Sequence, residues 1–539
     1  MLYFGSHKLV KNRLGTAVLF DLRASSALPD RQANPIISLT LRLAPRYSSR
    51  VGILKIRFLW SSAAAALTVA AALAGCGGTT YFAGRNLPPS KLTNRVLIAI
   101  QNPSAFGKGL LQFVDAYYDR RAGYGGKPAS YSISGYAGAL PVTIQNMPEE
   151  QVGYVYGSGD GSFTPASYSK ETSSGAVGGL SGLSSSIFIT RSQNFVFAAS
   201  QSLHVFSVVD RTNSGTYTLS LPGVYRVSVN PGGTMALAFV QNSNYAYYPV
   251  KLSAAQTTSF SGGPPTWPKA AVDCEPQNAP GWCLFQAQSP DSTDGTGYHY
   301  GAPLVFDRPV KAVFSIDGGT AYVLNCGPEC GGTTASVSIL PVSPMIFAVG
   351  RSSGTLPTNA TLASTRIAIP GGASNALVDS STMYVVGQQP QQISGQTLFA
   401  GNLTVVNLGN NTAGSSIAVS DGFPGAASRI LEADDNTLWI GMTKCNNGVR
   451  AATGQPYGCL TMYNTSTGSV TMLEPYLGDA TGIADVEGLH KIYTAEGGQV
   501  YIYSTTDGTA IDNQYVTVTG TAYDVAYMDA TTDANNTVY

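Results

Sequence analysis

Hydrophobic and polar residues alternate along most of the chain in short runs that end at turn-forming residues. Residues 309–316 form one such run, the turn Asp317-Gly318-Gly319 follows it, and residues 320–324 form the next run. Short runs rich in β-branched and aromatic side chains, bounded by Gly, Pro, Asn and Asp, are typical of β-strands joined by tight hairpins. The pattern therefore predicts an all-β protein.

The same unit of strands recurs through the body of the chain. It consists of an apolar strand, a tight turn, a second strand, a variable loop and a third strand, and such self-similarity indicates a ring or an array of repeats. Copies begin near Ser186, Val224, Pro309, Asn375, Ser428 and Gly482, and a degenerate copy covers residues 142–156.

The two ends of this body complete each other. Residues 96–100 and 110–114 resemble later strands of a unit that lacks a first strand, whereas residues 524–528 resemble a first strand with little after it. Pairing the ends would close a ring and remove its exposed sheet edges. The count is then eight units, and seven remains the alternative because the copy near residue 142 is degenerate.

The units resemble those of the YVTN/WD40-like superfamily of β-propellers, of the YncE-like kind, in which a Gly-rich turn is followed by Tyr-Val. Residues 315–323, Ser-Ile-Asp-Gly-Gly-Thr-Ala-Tyr-Val, carry the motif, and the resemblance spans about residues 94–539. It implies a single β-propeller of seven or eight blades, and the repeat count favours eight.

A different pattern precedes this body. Residues 51–75 contain Lys55 and Arg57, then an uninterrupted apolar and small-residue stretch over 58–72, and they end just before Cys76. A basic start, a hydrophobic centre and a small-residue end are typical of a secretory signal peptide. The apolar run is short for a permanent membrane span, so a retained transmembrane helix is the weaker interpretation.

The sequence Leu73-Ala74-Gly75-Cys76 resembles the bacterial lipobox at all four positions. The resemblance implies cleavage before Cys76, attachment of a lipid to its thiol and acylation of the new amino terminus. Several acyl chains together anchor a protein stably, where one chain is marginal. The alternative is an ordinary cleaved signal peptide followed by a chance cysteine.

The lipobox resemblance also sets the limits of the neighbouring segments. Residues 76–93 become a lipidated flexible tether, and Gly77 favours the outer membrane over retention at the inner one. Residues 1–50 are Arg-rich and lie upstream of a signal that normally begins a protein. We therefore interpret them as a mis-assigned or disordered extension.

Composition and charge argue against a nucleic-acid partner. Only 12% of residues are charged and 44% are apolar. Residues 1–57 hold ten of the 31 Lys and Arg residues and two of the 31 Asp and Glu residues, so the body is mildly acidic. Phosphate binding draws on clustered basic residues that such a body lacks.

Six cysteines follow Cys76, and they form three pairs that are close in sequence. An even number in an exported chain predicts disulfides, and proximity favours local pairing. The paired C-x-x-C spacings of structural zinc sites are missing, so we expect no metal site. The predicted disulfides are Cys274 with Cys283, Cys326 with Cys330, and Cys445 with Cys459.

The search for catalytic motifs finds none. Zinc-protease, nucleophile-elbow, Walker and dinucleotide-binding signatures are missing, so we expect no catalytic residues and no cofactor. His204 and His490 are interpreted as structural, and Asp434-Asp435 as part of a hairpin turn. Asp291 and Asp294 faintly resemble a calcium loop, an alternative with little support.

One long segment is the predicted site of ligand contact. Residues 256–304 exceed an ordinary connection in length and include the Cys274–Cys283 pair. Aromatic side chains on a disulfide-held loop suit ligand or partner contact, although they could equally pack the loop onto the propeller. The candidate residues are Trp267, Trp282, Tyr298, His299 and Tyr300.

The sequence thus predicts an exported, lipid-anchored propeller that acts as a binding or scaffold module at the cell envelope. We expect a monomer whose partners are the membrane, reached through the lipid, and an unknown envelope protein or glycan. The alternative is an enzyme of the lactonase-like or quinoprotein-like kind, because related propellers include such families. No motif of those families can be matched residue by residue in this sequence.

The export prediction can be checked by the intact mass of the native protein extracted from membranes. We expect a chain that begins at Cys76 and carries acyl groups, and whose mass rises by two hydrogens for each of three disulfides on reduction. An unprocessed chain without disulfides would contradict both the signal peptide and the cysteine pairing.

Overall fold

The structure is a computed structural model. The residues it describes are 10–11, 17–18, 87–102, 107–119, 131–251, 271–275, 281–288, 292–293, 299–300, 303–342, 365–393, 395–420, 425–445, 457–473, 478–516 and 518–532. The chain divides into two compact units, 1–78 and 79–539. In the first unit, β1 (Val10–Lys11) pairs with β2 (Ala17–Val18) in antiparallel fashion.

The second unit is a β-propeller whose described strands form eight antiparallel blades, which confirms the larger of the two predicted blade numbers. In each of the first four blades, the strands follow one another from the channel outwards. Blade 1 holds β36 (Thr521–Tyr527), β3 (Arg95–Gln101) and β4 (Leu110–Asp115). Blade 2 holds β5 (Pro141–Met147), β6 (Val152–Gly157), β7 (Phe163–Ser167) and β8 (Thr172–Ser173). Blade 3 holds β9 (Ser186–Ile189), β10 (Phe195–Ser200), β11 (Val205–Asp210) and β12 (Gly215–Ser220). Blade 4 holds β13 (Val224–Val229), β14 (Ala236–Val240), β15 (Ala246–Lys251), β17 (Trp282–Gln286) and β16 (Ala271–Glu275).

Each of the other four blades has four described strands, in chain order. Blade 5 holds β20 (Pro309–Phe314), β21 (Thr320–Asn325), β22 (Ser336–Pro341) and β23 (Thr365–Ala368). Blade 6 holds β24 (Asn375–Asp379), β25 (Thr382–Ile393), β26 (Gln396–Asn407) and β27 (Thr412–Ala418). Blade 7 holds β28 (Ala426–Ala433), β29 (Thr437–Cys445), β30 (Tyr457–Asn464) and β31 (Val470–Met472). Blade 8 holds β32 (Ala480–Val486), β33 (Lys491–Glu496), β34 (Gln499–Ser504) and β35 (Ala510–Val516).

Part of the segment 256–304, which the sequence pattern presents as one long loop, forms strands instead. β16 and β17 extend the sheet of blade 4, and Cys274 pairs directly with Cys283 across them. β18 (Ser292–Thr293) and β19 (His299–Tyr300) form a separate short ladder. The apolar run Trp-Cys-Leu-Phe of β17 is buried, and this burial explains why it joins the sheet.

All three predicted disulfides are present. Cys326–Cys330 spans a short 3-10 helix (Gly327–Cys330) between β21 and β22, and Cys445–Cys459 joins β29 to β30. A second 3-10 turn (Asp434–Asn436) connects β28 to β29. None of the helices among the described residues is long and apolar enough to cross a membrane.

Turn chemistry fixes the hairpins at the starts of the blades. In the hairpin between β20 and β21, Gly318 has φ 69°, a left-handed conformation that glycine adopts without a steric penalty. The side chain of Asp317 accepts the N–H of Gly319 at 3.0 Å, which holds the turn locally. The Asp-Gly-Gly sequence therefore forms the tight hairpin turn that the sequence pattern predicts.

Eight apolar clusters fill the eight interfaces between neighbouring blades. Between blades 3 and 4, for example, Phe197 and Phe206 pack with Leu284, and between blades 7 and 8 the fully buried Trp439 packs against Tyr503. Burial of such large side chains is the main source of stability in folds of this kind. Each blade thus depends on both of its neighbours.

Inner-strand backbone groups are capped by side chains of the preceding blade. Ile144 donates its N–H to Asp524 at 2.8 Å, and Ile189 donates to Gln145 at 2.8 Å. The N–H groups of Val227 and Ala312 likewise donate to the hydroxyl groups of Ser186 and Ser228. These bonds cover four successive blade interfaces, from blades 1 and 2 to blades 4 and 5.

The ring closes between the two ends of the propeller, as predicted. β36 pairs with β3 in an antiparallel ladder, so blade 1 combines a late strand with two early ones. The fully buried guanidinium of Arg95 donates to both carboxylate oxygens of Asp529, at 2.6 and 3.0 Å. It also donates to Glu171 at 2.8 Å and to the carbonyl of Tyr168 at 2.7 Å. One side chain therefore ties the closure to blade 2.

We expect Arg95→Met to lower the free energy of unfolding by roughly 3–5 kcal/mol, because it leaves two carboxylates buried without their cation. Urea titration of the purified protein measures this change. Arg191→Met is the matched control: Arg191 pairs with Glu149 at the surface and is 49% exposed, so its loss should cost at most about 1 kcal/mol. Equal effects of the two substitutions would contradict the role of Arg95.

Candidate functional site

A cavity of about 410 Å³ opens where the inner strands of blades 3 to 7 begin. The strands contribute their first residues, and the disulfide-bridged turn after β21 contributes two more. The lining residues are Ser186, Tyr225, Arg226, Val227, Val310, Lys311, Glu329, Cys330, Ser374, Asn375, Ala426, Ala427, Ser428 and Arg429.

A β-bulge that recurs in the inner strands places basic side chains in this cavity. In six blades the inner strand has a β-bulge near its start, and a bulge redirects the side chains that follow it. The same register thus puts one residue of each of these blades at an equivalent position. These residues are Thr143, Arg226, Lys311, Arg429, Gly482 and Asp524.

The bulge position carries three basic residues, and two of them have no acidic partner. Among the described residues, no carboxylate lies within ion-pair distance of Arg226 or Lys311. The guanidinium of Arg226 lies 5.6 Å from the ring centre of Tyr225 and has a long contact, 3.4 Å, with the carbonyl of Val310. The cavity therefore has an excess of positive charge.

Lys311 is buried, with 8% of its surface exposed. Its Nζ donates to Asn375 Oδ1 at 2.8 Å, and the same oxygen accepts the N–H of Ala376 at 2.9 Å. Burial lowers the pKa of Lys311 to about 7, and the positive charges of Arg226 and Arg429 act in the same direction. The amine is thus close to half neutral at physiological pH.

Arg429 crosses from blade 7 to blade 1. Its Nη2 donates to Asp524 Oδ2 at 3.2 Å, and its buried Nε has no hydrogen-bond partner among the described residues. Between these two blades, the equivalent bulge residue of blade 8 is Gly482. A Cβ atom at this position would lie 2.5 Å from Asp524 Oδ1. Glycine is therefore required at this bulge position. The buried Nε is a donor left unsatisfied within the described part of the chain.

Glu329 enters the cavity from the turn that the Cys326–Cys330 disulfide closes. Its Oε2 accepts the N–H of Gln388, from β25 of the next blade, at 3.0 Å. Burial raises the pKa of Glu329 to about 7, although the bond from Gln388 and the charge of Arg226 act in the opposite direction. A carboxyl group and an amine that both titrate near neutrality thus line one cavity.

Asp434, Asp435 and His490 come together at the far end of β28. This strand begins beside the cavity and ends at Ala433, roughly 20 Å away at its rise per residue. Asp434 accepts the N–H of His490 at 3.2 Å, and His490 Nδ1 lies 3.0 Å from Asp435 Oδ2. Burial, followed by the charge of Asp434, raises the pKa of Asp485 nearby to about 8.

These turn residues are mainly structural partners of each other and of the neighbouring backbone. His490 is 60% exposed and does not line the cavity. Within the described ranges, no group of three or more His, Cys, Asp or Glu side chains is arranged to hold a metal ion.

The predicted aromatic site is only partly covered by the described residues. Trp282 is buried and makes edge contacts with Phe195 and Phe197 of blade 3. His299 and Tyr300 lie in β19, and their side chains are not described. Trp267, Tyr298, Cys76, Asp291 and Asp294 fall outside the described residues. Ligand binding by this aromatic group therefore stays a prediction.

Sequence reasoning missed Arg226, Lys311, Glu329 and Arg429. The signal was a basic residue near the start of an otherwise apolar first strand, repeated in the units that begin near Val224, Pro309 and Ser428. Comparing equivalent positions of the repeats would have identified three of the four residues. Glu329 gives no such signal, because only the folded turn brings it to the channel.

Comparisons with known proteins find only distant structural likeness. No protein-family profile matches the chain, and no curated protein matches its sequence. The periplasmic gluconolactonase PpgL of Pseudomonas aeruginosa is 12% identical, with 80% of this chain and 98% of that chain covered and a TM-score of 0.40. Dihydro-heme d1 dehydrogenase NirN is 11% identical, with 82% of this chain and 79% of that chain covered and a TM-score of 0.44.

A third similar structure is the Cps50 (Swd1) β-propeller domain of Myceliophteria thermophila. It is 10% identical, with 68% of this chain and 97% of that chain covered and a TM-score of 0.38. Likeness at this level says nothing about the activity of the present chain.

The lowered pKa of Lys311 predicts how stability depends on pH. Between pH 7 and 10.5 the unfolded chain keeps a proton on Lys311 that the folded protein has released. The free energy of unfolding therefore rises with pH in this window, by up to about 1.4 kcal/mol per pH unit. We expect Lys311→Met to remove this rise in urea titrations at several pH values.

The exposed Lys170 of blade 2 supplies the control, since Lys170→Met should leave the pH dependence unchanged. Parallel stability curves for the wild type and Lys311→Met would mean that burial does not shift the pKa of Lys311.

Proposed function

We propose that the protein is an exported, membrane-anchored β-propeller that binds a small anionic ligand in its central channel. The observation that carries this proposal is the pair of basic side chains, Arg226 and Lys311, that line one cavity without a carboxylate at ion-pair distance among the described residues. Buried charges are normally paired, so an anion is the natural complement to this site.

The other cavity residues suit the same ligand. Arg429 lines the same cavity, while the carboxyl group of Glu329 is largely protonated below pH 7 and then repels an anion less. Ser186, Ser374 and Ser428 add polar surface to the lining, although their hydroxyl groups already bond backbone groups. A carboxylate or phosphate could accept several charge-assisted hydrogen bonds here.

Export and anchoring rest on the signal-like segment 51–75 and on the lipobox at Cys76. The three disulfides support this part of the proposal, because structural disulfides persist mainly in oxidising compartments. An envelope protein or glycan is the proposed partner of the outer loops, and the aromatic residues of the segment 256–304 are its candidate contacts.

An enzyme is the second candidate function. The observation that favours it is the combination of Lys311 and Glu329, which titrate near pH 7 in one cavity, where general acid–base groups work best. A lactonase-like or quinoprotein-like activity is one form that such an enzyme could take.

Calorimetric titration tests anion binding. We expect acetate, short dicarboxylates or inorganic phosphate to bind, and acetamide not to bind. Arg226→Gln should weaken binding by roughly 1.5–3 kcal/mol, or about ten- to hundredfold in Kd, because it removes a charged donor. Arg191→Gln, at the surface of blade 3, should leave Kd unchanged. Equal loss in both variants, or equal binding of acetate and acetamide, would overturn the proposal.

A further inference from the structure

Lys311 differs from the other lysines whose amino groups have described partners. Lys251 pairs with Asp210 at 2.5 Å, and Lys491 with both oxygens of Asp119 at 2.7 and 2.8 Å. Lys311 is more buried than either, yet its described partner is an amide oxygen at 2.8 Å. Its surroundings therefore do not hold it as an ammonium ion.

The hydrogen bond to Asn375 leaves the lone pair of the amine free. Asn375 Oδ1 accepts from the Ala376 N–H, which identifies this atom as the oxygen, so Lys311 must be the donor. A neutral amine that donates one N–H retains its lone pair for another atom. The cavity beside it has room for a small molecule.

We propose that Lys311 is the nucleophile of an imine-forming site for small carbonyl compounds that carry a carboxylate or phosphate group. The inference rests on the proposed anion site, because Arg226 and Arg429 would hold the anionic group while the amine meets the carbonyl carbon. Amines desolvated beside other cations are suited to this chemistry.

The reaction balances without a further reagent. The nitrogen of Lys311 attacks the carbonyl carbon, the carbonyl oxygen takes up a proton, and nitrogen loses one, which gives a carbinolamine. The carboxyl group of Glu329 then donates a proton to the hydroxyl group, water leaves as the C=N bond forms, and the nitrogen proton returns to Glu329. The net change is one amine and one carbonyl compound converted to one imine and one water.

Reductive trapping tests the inference on the full chain with its disulfides intact. The protein is treated at pH 7 with glyoxylate and cyanoborohydride, and intact mass and peptide mapping locate the product. We expect one secondary amine on Lys311, since at this pH its neutral fraction is roughly a thousand times that of an ordinary lysine. Glycolaldehyde, which has no carboxylate, should react more slowly at this position.

The variants separate a chemical role from a structural one. Lys311→Arg should abolish the adduct, Arg226→Gln should slow its formation with glyoxylate more than with glycolaldehyde, and Glu329→Gln should slow both. Lys491→Arg, which changes a half-buried lysine that is paired with Asp119, is the matched control and should change nothing. Mapping of the wild-type adduct decides the site even where a substitution destabilises the fold.

The pH profile adds an independent readout. The charged groups that line the cavity with Lys311 are Arg226 from β13, Arg429 from β28 and Glu329 from the disulfide-closed turn. Because the reaction needs a neutral amine and a protonated Glu329, the rate should be highest near pH 7, well below the range of exposed lysines. Adducts spread over surface lysines would overturn the inference. Anion binding without an adduct would reject the imine site alone, whereas loss of both would reject the proposed function as well.

Discussion

The free edge of each inner strand is the constraint on which this propeller depends. An inner strand has a neighbour in its own blade on one side only, and its other edge would expose N–H groups inside a narrow channel. Side chains of the preceding blade cap these groups, as Asp524 and Gln145 do for Ile144 and Ile189. Because buried backbone groups need partners, a polar channel is a requirement of ring closure and not by itself a sign of function.

This requirement separates structural from available polar groups. Asp524 caps a backbone N–H and pairs with Arg429, and the hydroxyl of Ser186 caps Val227. Arg226 and Lys311 occupy equivalent bulge positions, yet neither caps a backbone N–H group: Arg226 donates to the carbonyl of Val310, and Lys311 donates to the side chain of Asn375. These two basic groups are therefore in excess of what the ring needs, which is why they indicate a ligand.

Much of the fold could be predicted from sequence because each blade is a local unit. Alternation and turn residues such as Asp317-Gly318-Gly319 specify hairpins, and the incomplete units at the two ends specify closure. The strands β16 and β17 were not predicted, because the short buried run that begins at Trp282 lies among turn-forming residues. Their attachment to blade 4 depends on contacts with blade 3, which periodicity within one segment does not report.

The candidate site was harder to predict for the same physical reason. Its residues come from five blades and a turn, and the chemistry of Lys311 depends on charges more than 80 residues away in sequence, at Arg226 and Arg429. Aromatic residues on a long segment suggest ligand contact, but Trp282 packs against Phe195. A basic residue in an apolar strand indicates a ligand site only when the folded ring shows that no carboxylate lies near enough to pair with it.

Because of the disulfide between Cys326 and Cys330, the lining of the cavity depends on whether the surrounding compartment is oxidising or reducing. It closes the turn that carries Glu329 and contributes Cys330 itself to the lining. In a reducing environment the turn would lose this covalent closure, and Glu329 would no longer be held at the cavity by a covalent link. The eight blades do not depend on this bond, so assembly of the ring and the final shape of the cavity are separable events.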